Sequence, residues 1–150
     1  MILLDTNVLS ELMRDVPAFA VVRWLDQQPR DSVWTTAINV FESRSGLLAM
    51  PVGKRRSVLI ELFERMLVET IQGRVASFDR VAAEHGAELE AASAMAGRPR
   101  DPRDTMIAGI VLANHATLAT RNVKHFEDIA KSVVNPWESQ ATGIREQAYL

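Results

Sequence analysis

The chain starts MILLDTNVLS (residues 1–10). Four apolar residues, Met1 to Leu4, run straight into Asp5, with polar Thr6 and Asn7 behind it. A short apolar run that stops at polar residues reads as a buried strand. If that strand belongs to a parallel sheet, its carboxyl end lies on the edge where such sheets bind ligands. Whether Asp5 sits on such an edge depends on the rest of the chain. VWTT (33–36), RVASF (74–78), TLAT (117–120) and SVVN (132–135) read as further short strands, rich in β-branched or aromatic residues and bounded by turn formers. Helical patterns alternate with them. One opens at Pro17, carries Val21, Val22, Trp24 and Leu25, and stops at Pro29. Another follows Thr36 with Ile38, Phe41 and Leu48, and a third covers residues 55–71. A fourth runs from an Asp79 N-cap to Gly97, and a fifth starts at Asp101 with Pro102 in its first turn and buries Ile107, Ala108, Ile110 and Val111. This alternation predicts an α/β fold with a parallel sheet covered by helices.

The 150 residues suit one domain, without repeats or linkers. Cysteine is absent, which excludes disulfides, a thiol nucleophile and thiolate metal sites. No apolar run reaches the roughly 18 residues of a spanning helix, and no basic region opens the chain as in a signal peptide; a soluble, cytoplasmic protein is expected. The net charge of −2 gives no global field toward nucleic acid, so any RNA or DNA contact must come from local patches. Arginine supplies most of the positive charge, lysine standing only at Lys54, Lys124 and Lys131.

Other acids can meet Asp5. Glu42, in TTAINVFESRSG, lies about 9 Å along its helix from a Thr36 cap, and helical side chains lean back toward the N-terminus. Asp104, in PRDPRDTMIAGIVL, occupies the first turn of the fifth helix, whose N-terminus points to the same edge. Asn122 follows the TLAT strand there. Three crowded carboxylates raise one another's pKa unless a cation joins them, and an all-oxygen set suits Mg²⁺ or Mn²⁺ rather than zinc. Each residue also has a local explanation: an Asx turn at Asp5, a solvated helix face at Glu42, and a helix cap at Asp104 three residues after Asp101. The metal reading rests on their coincidence.

In family order, LLDTNVLSE, TAINVFESRSG, DTMIAGIVL, LATRNVKHF and VVNPW resemble the PIN-domain ribonucleases of the VapC/FitB-like toxin group, over residues 1–137. The resemblance implies a PIN-like three-layer fold with a central parallel sheet of four or five strands, and residues 138–150 as a polar C-terminal extension of the same domain. It implies a metal-dependent endoribonuclease acting on structured RNA, tRNA among the candidates, with Mg²⁺ or Mn²⁺ held by Asp5, Glu42 and Asp104. A cognate antitoxin would hold it inactive, homodimers are common, and promoter DNA is bound only through the antitoxin; no membrane is involved. The fourth acidic place falls at Asn122, and where some relatives use an aspartate three residues later this chain has His125. Asn122 could offer a carbonyl oxygen and Asp101 a spare carboxylate, while Thr6 and Thr36 match hydroxyl positions that would orient the carboxylates.

RNA approaching such a pocket needs a positive rim, for which Arg98, Arg100, Arg103, Arg121 and Lys124 are the candidates. The tryptophans Trp24, Trp34 and Trp137 read as packing residues. Helices at 18–28 and 55–71 could form a groove for an antitoxin helix or tail. Two other functions fit parts of the pattern. A catalytically weak or silent PIN-like module would engage an antitoxin without cleaving. Phosphoryl transfer through an aspartyl-phosphate would use Asp5, although the second acid expected two residues on is Asn7.

Overall fold

The computed structural model describes residues 1–139, so most of the predicted C-terminal extension, residues 140–150, lies outside the described residues. Strand β1 (Ile2–Leu4) leads directly into helix α1 (Thr6–Leu12), followed by α2 (Phe19–Asp26), β2 (Val33–Thr36), α3 (Ala37–Ala49) and α4 (Lys54–Glu69). Then come β3 (Val75–Ala76), α5 (Arg80–Met95), α6 (Pro102–Ala113), β4 (Thr117–Ala119), a 3₁₀ run over Val123–Ser132 kinked at Phe126 and Ile129, and β5 (Val133–Val134). All neighbouring strands are parallel, in the order β3-β2-β1-β4-β5, with Leu3 opposite Trp34 on one side and Leu118 on the other.

Alternation along the strands divides the core into two layers. Leu3 and Leu118 face α5 and α6, packing with Ala82, Ile107, Ile110 and Phe126. Leu4 and Ala119 face the other way, toward Val8, Leu9, Val21, Trp24, Phe63 and Met66 of α1, α2 and α4. The result is the three-layer PIN-like fold, with five strands. The backbones of α5 and α6 approach so closely that a Cβ on Gly109 would stand 2.3 Å from the Ala82 carbonyl oxygen. This places α6, and with it Asp104 on its first turn, by backbone contact.

Helix α1 is absent from the sequence reading, in which DTN looks like a turn. Asp5 is in fact its N-cap, its carboxylate accepting from Thr6 N (2.9 Å), and Val8 and Leu9 lie on the buried face. No helix among the described residues is long and apolar enough to cross a membrane.

Candidate active site

Asp5 ends β1 at the carboxyl edge of the sheet and is buried. Its Oδ1 accepts from Thr6 N (2.9 Å) and Asn39 Nδ2 (2.7 Å), and its Oδ2 from Thr120 Oγ1 (2.7 Å) and Asn7 Nδ2 (3.2 Å). A carboxylate offers about four lone-pair sites, and four protein donors fix the orientation of this one. The donors come from α1, α3 and the end of β4, so the anchor is shared by three parts of the sheet edge.

Asn39, Asn7 and Thr120 complete this anchor, and the sequence reading gives none of them a role there. Fully buried Asn39 stands three residues into α3, where Thr36 caps the helix by accepting from Asn39 N (3.1 Å) and donating to Asn39 Oδ1 (2.6 Å). Asn39 Nδ2 also donates to Thr6 Oγ1 (3.0 Å), which in turn donates to Glu42 Oε1 (3.3 Å). Thr6 therefore touches Glu42 directly, whereas Thr36 acts on Asp5 through Asn39. The available signal is TTAINV: a Thr-x-x-Asn spacing related to a capping box, with the amide set between apolar Ile38 and Val40.

Glu42 lies half-buried on the second turn of α3, as its helical position predicts. Its pKa is raised, first by desolvation and then by the charge of Asp5, with Asp104 adding to the rise and Thr6 and Arg103 opposing it. Arg103 Nη1 is 4.0 Å from Glu42 Oε2, and its guanidinium lies 5.1 Å from the Phe41 ring centroid. The pKa of Asp104 is raised first by desolvation; His125 opposes this, while Asp101 and Asp5 contribute to the rise. The three acids thus share one field, although they come from β1, α3 and α6.

At the fourth place the structure separates the two candidates. His125 Nδ1 is 3.1 Å from Asp104 Oδ2. Asn122 is exposed and reaches the site through its backbone, its N–H donating to Thr120 Oγ1 (3.0 Å). Asp101 is exposed and serves as the α6 N-cap, accepting from Arg103 N (2.8 Å) and Asp104 N (3.4 Å).

The proposed rim divides similarly. Arg98 and Lys124 are exposed beside a pocket that also includes Asp104 and His125. Arg121 stacks 5.0 Å from the Trp137 ring centroid, and its backbone N–H donates to Asn7 Oδ1 (3.0 Å). Arg100 departs from the expected solvated rim. Its side chain is nine-tenths buried, pairs with Asp128, and donates from Nε to Thr105 Oγ1 (3.2 Å). The acid that draws it inward is 28 residues away in sequence. Trp24 is buried and Trp34 and Trp137 pack against the core, as expected of packing residues.

A groove beside Glu42 runs between α1, α3 and α4, lined by Met13, Leu47, Val58 and Leu59 together with the charged Arg14, Asp15, Lys54 and Arg55. Helix α2, expected to form one wall, instead buries Val21 and Trp24 in the core, and the unforeseen α1 takes its place.

The donor chemistry fits a hard divalent cation: three carboxylates, no sulfur, and mutual charge that a cation would relieve. Their present arrangement is not a finished coordination shell, since among the described residues no three Asp, Glu or His side chains form a ready metal-holding group. Asp5 faces its four donors, Glu42 faces Thr6, and Asp104 faces His125.

A family model for the PIN domain matches residues 2–132. Plasmid stability protein StbB of Pseudomonas syringae pv. tomato is 44% identical over 139 residues, which covers 93% of this chain and 100% of that protein. A VapC ribonuclease of Sinorhizobium fredii is 39% identical, covering 92% and 99%. The crystal structure of FitAcB from Neisseria gonorrhoeae superposes with a TM-score of 0.81 at 36% identity, covering 92% of this chain and 99% of that one. Together with the strand order and the acid-bearing sheet edge, these matches place the chain in the PIN-domain family, within its VapC/FitB-like toxin group.

Proposed function

We propose that this chain is the toxin of a toxin–antitoxin pair and cleaves RNA internally with the help of Mg²⁺ or Mn²⁺. The observation that carries the reading is the shared field of Asp5, Glu42 and Asp104, brought from three distant segments to the carboxyl edge of a parallel sheet. Asp5 is the fixed member, oriented by Asn39, Asn7 and Thr120. Glu42 and Asp104 approach it from the N-terminal turns of α3 and α6. When bound, a divalent ion supplies Lewis acidity toward a phosphodiester oxygen and lowers the pKa of water. Arg103, beside Glu42, and the exposed Arg98 and Lys124 meet backbone phosphates. Arg100 holds the wall of the pocket rather than the substrate.

The antitoxin occupies the groove between α1, α3 and α4, whose apolar side chains suit an amphipathic segment and whose Arg14, Lys54 and Arg55 suit acidic groups on it. Uncovered apolar side chains at Val16, Phe19, Val52 and Met95 leave surface for the antitoxin and a second copy of the chain to bury. The pair acts in the cytoplasm.

The experiment uses the purified chain freed of antitoxin and incubated with total RNA. Discrete fragments in Mg²⁺ that disappear with chelator and with Asp5→Asn are expected; equal fragments from the variant overturn the reading. The exposed Asn122 in place of a fourth acid favours one competing reading, a silent antitoxin-binding module, which would form the complex yet yield no fragments. Sequencing the fragment ends identifies the RNA, with tRNA the first class to inspect.

A further inference from the structure

We propose that Phe41 and Arg103 form a platform on which an unpaired base of the RNA stacks beside the acids, so that the site favours strand segments whose bases are not paired. The inference rests on the RNA-cleaving reading above. Ile38 and Phe41 share the helical pattern of α3, yet Ile38 packs against the core while Phe41 is 55% exposed. The Arg103 guanidinium lies over its ring, 5.1 Å from the centroid. Two other guanidinium–ring contacts occur among the described residues, Arg44 with Phe63 and Arg121 with Trp137. In both of those the ring lies in the core or packs against it. The pair at Phe41 stands at the surface instead, and its ring is not among the side chains that line the groove assigned to the antitoxin.

The pair is attached to the acids by the backbone. Phe41 precedes Glu42 on α3 and Arg103 precedes Asp104 on α6, so the two helices that bring these carboxylates together also set ring against guanidinium. Arg103 Nη1 is 4.0 Å from Glu42 Oε2, a charge contact too long for a hydrogen bond, and its side chain is half exposed. The guanidinium is therefore held by the ring and by charge, which leaves N–H groups for a phosphate and a flat face for a base. A nucleotide carries the complement of both, an anionic phosphate and a π face. Unpaired RNA is recognised by stacking its bases on aromatic rings or guanidinium planes. Every base has such a face, so the contact selects unpaired bases without reading their identity. In a duplex neighbouring base pairs cover these faces, and the A-form helix presents sugars, phosphates and base edges instead.

The test measures, by fluorescence anisotropy, binding of the full chain to a labelled oligouridine of about 12 nucleotides, within the roughly 4–16 that single-strand sites span. Chelator prevents cutting, and low salt strengthens the phosphate contacts. Wild type should bind this strand more tightly than the same strand paired with oligoadenosine. Phe41→Ala should weaken single-strand binding by about fivefold to a hundredfold, the range for losing one base stack, while Phe41→Trp retains it. Arg103→Lys, which keeps the charge and loses the plane, should also weaken it. On an abasic strand of equal length, which carries the phosphates without the bases, Phe41→Ala should make no difference. An equal loss on the abasic strand would mean that the ring only orders Arg103 for phosphate, and it overturns the inference. Wild type without a preference for the single strand overturns it as well. Unchanged RNA affinity of Phe41→Ala with a changed sedimentation coefficient assigns the ring to a contact between copies of the chain, again overturning it. In each case the RNA-cleaving reading stands or falls on the fragment experiment; absence of both binding and fragments overturns both.

Discussion

The two halves of the acidic pocket are built on different terms. On the β1 side, Asp5 is buried and receives four hydrogen bonds drawn from α1, α3 and the end of β4. Among the described residues, Asp104 has one side-chain partner, the exposed His125, and Glu42 has Thr6 at 3.3 Å and Arg103 at 4.0 Å. In the α3/α6 half, burial and the neighbouring acids raise the pKa of both Glu42 and Asp104. Amide and hydroxyl dipoles can hold one carboxylate in place, but they do not remove repulsion from the next two. The β1 half is an anchor, and the α3/α6 half is an incomplete shell that the proposed cation would finish.

The largest expected effect breaks the anchor. Asn39→Leu removes the donors to Asp5 Oδ1 and Thr6 Oγ1 while retaining the volume, leaving a buried carboxylate short of partners. It should cost about 3 kcal/mol, read as a lower urea midpoint; a loss under about 1 kcal/mol would mean the remaining donors suffice and the two halves are less different than described. Next comes the scaffold behind the adjustable half. Gly109→Ala forces α5 and α6 apart at the 2.3 Å approach and should cost about 2 kcal/mol. In contrast, Gly46→Ala on the exposed face of α3, where a Cβ meets nothing within 4 Å, should stabilise by about 0.5–1 kcal/mol.

Smaller effects sharpen the electrostatic side. A carboxyl whose folded pKa is raised binds its proton more tightly folded than unfolded, so its contribution to stability is full below the ordinary carboxylate range and is lost as pH rises through the raised value. The metal-free protein should therefore give up this increment for Glu42 and Asp104 as pH climbs upward from their ordinary values of 4.5 and 3.8. Asp104→Asn should blunt the loss and raise the stability of the metal-free chain at pH 7, while abolishing the rise in melting temperature expected with Mn²⁺. The smallest effects lie at the rim. Arg98→Ala and Lys124→Ala should each lower the salt slope of RNA binding by about one, whereas Arg100→Ala should lower the urea midpoint instead.

The contrast between anchor and shell also explains which features are legible in the chain. All five strands are legible because each is a short apolar or β-branched run bounded by turn formers, and the acids are legible because each ends a strand or opens a helix. Helix α1 is not, since an Asx turn and an N-cap use the same Asp-Thr-Asn chemistry, and only the burial of Val8 and Leu9 separates them. Asn39 is hidden because an amide on one helical turn shows no sign of the strand-end carboxylate 34 residues away that it will meet. Arg100 misleads for the same reason: RPRDPRD reads as a solvated loop until Asp128 folds over it. Local patterning reports the elements, while these polar contacts depend on the tertiary pairing of distant segments.

The central claim, that Asp5, Glu42 and Asp104 together hold a divalent ion, is tested most directly by anomalous diffraction from crystals of the full chain soaked in Mn²⁺. An anomalous peak is expected at the carboxyl edge of β1, within coordination distance of oxygens from all three residues. A peak elsewhere, or one that Glu42 does not reach, would contradict the claim.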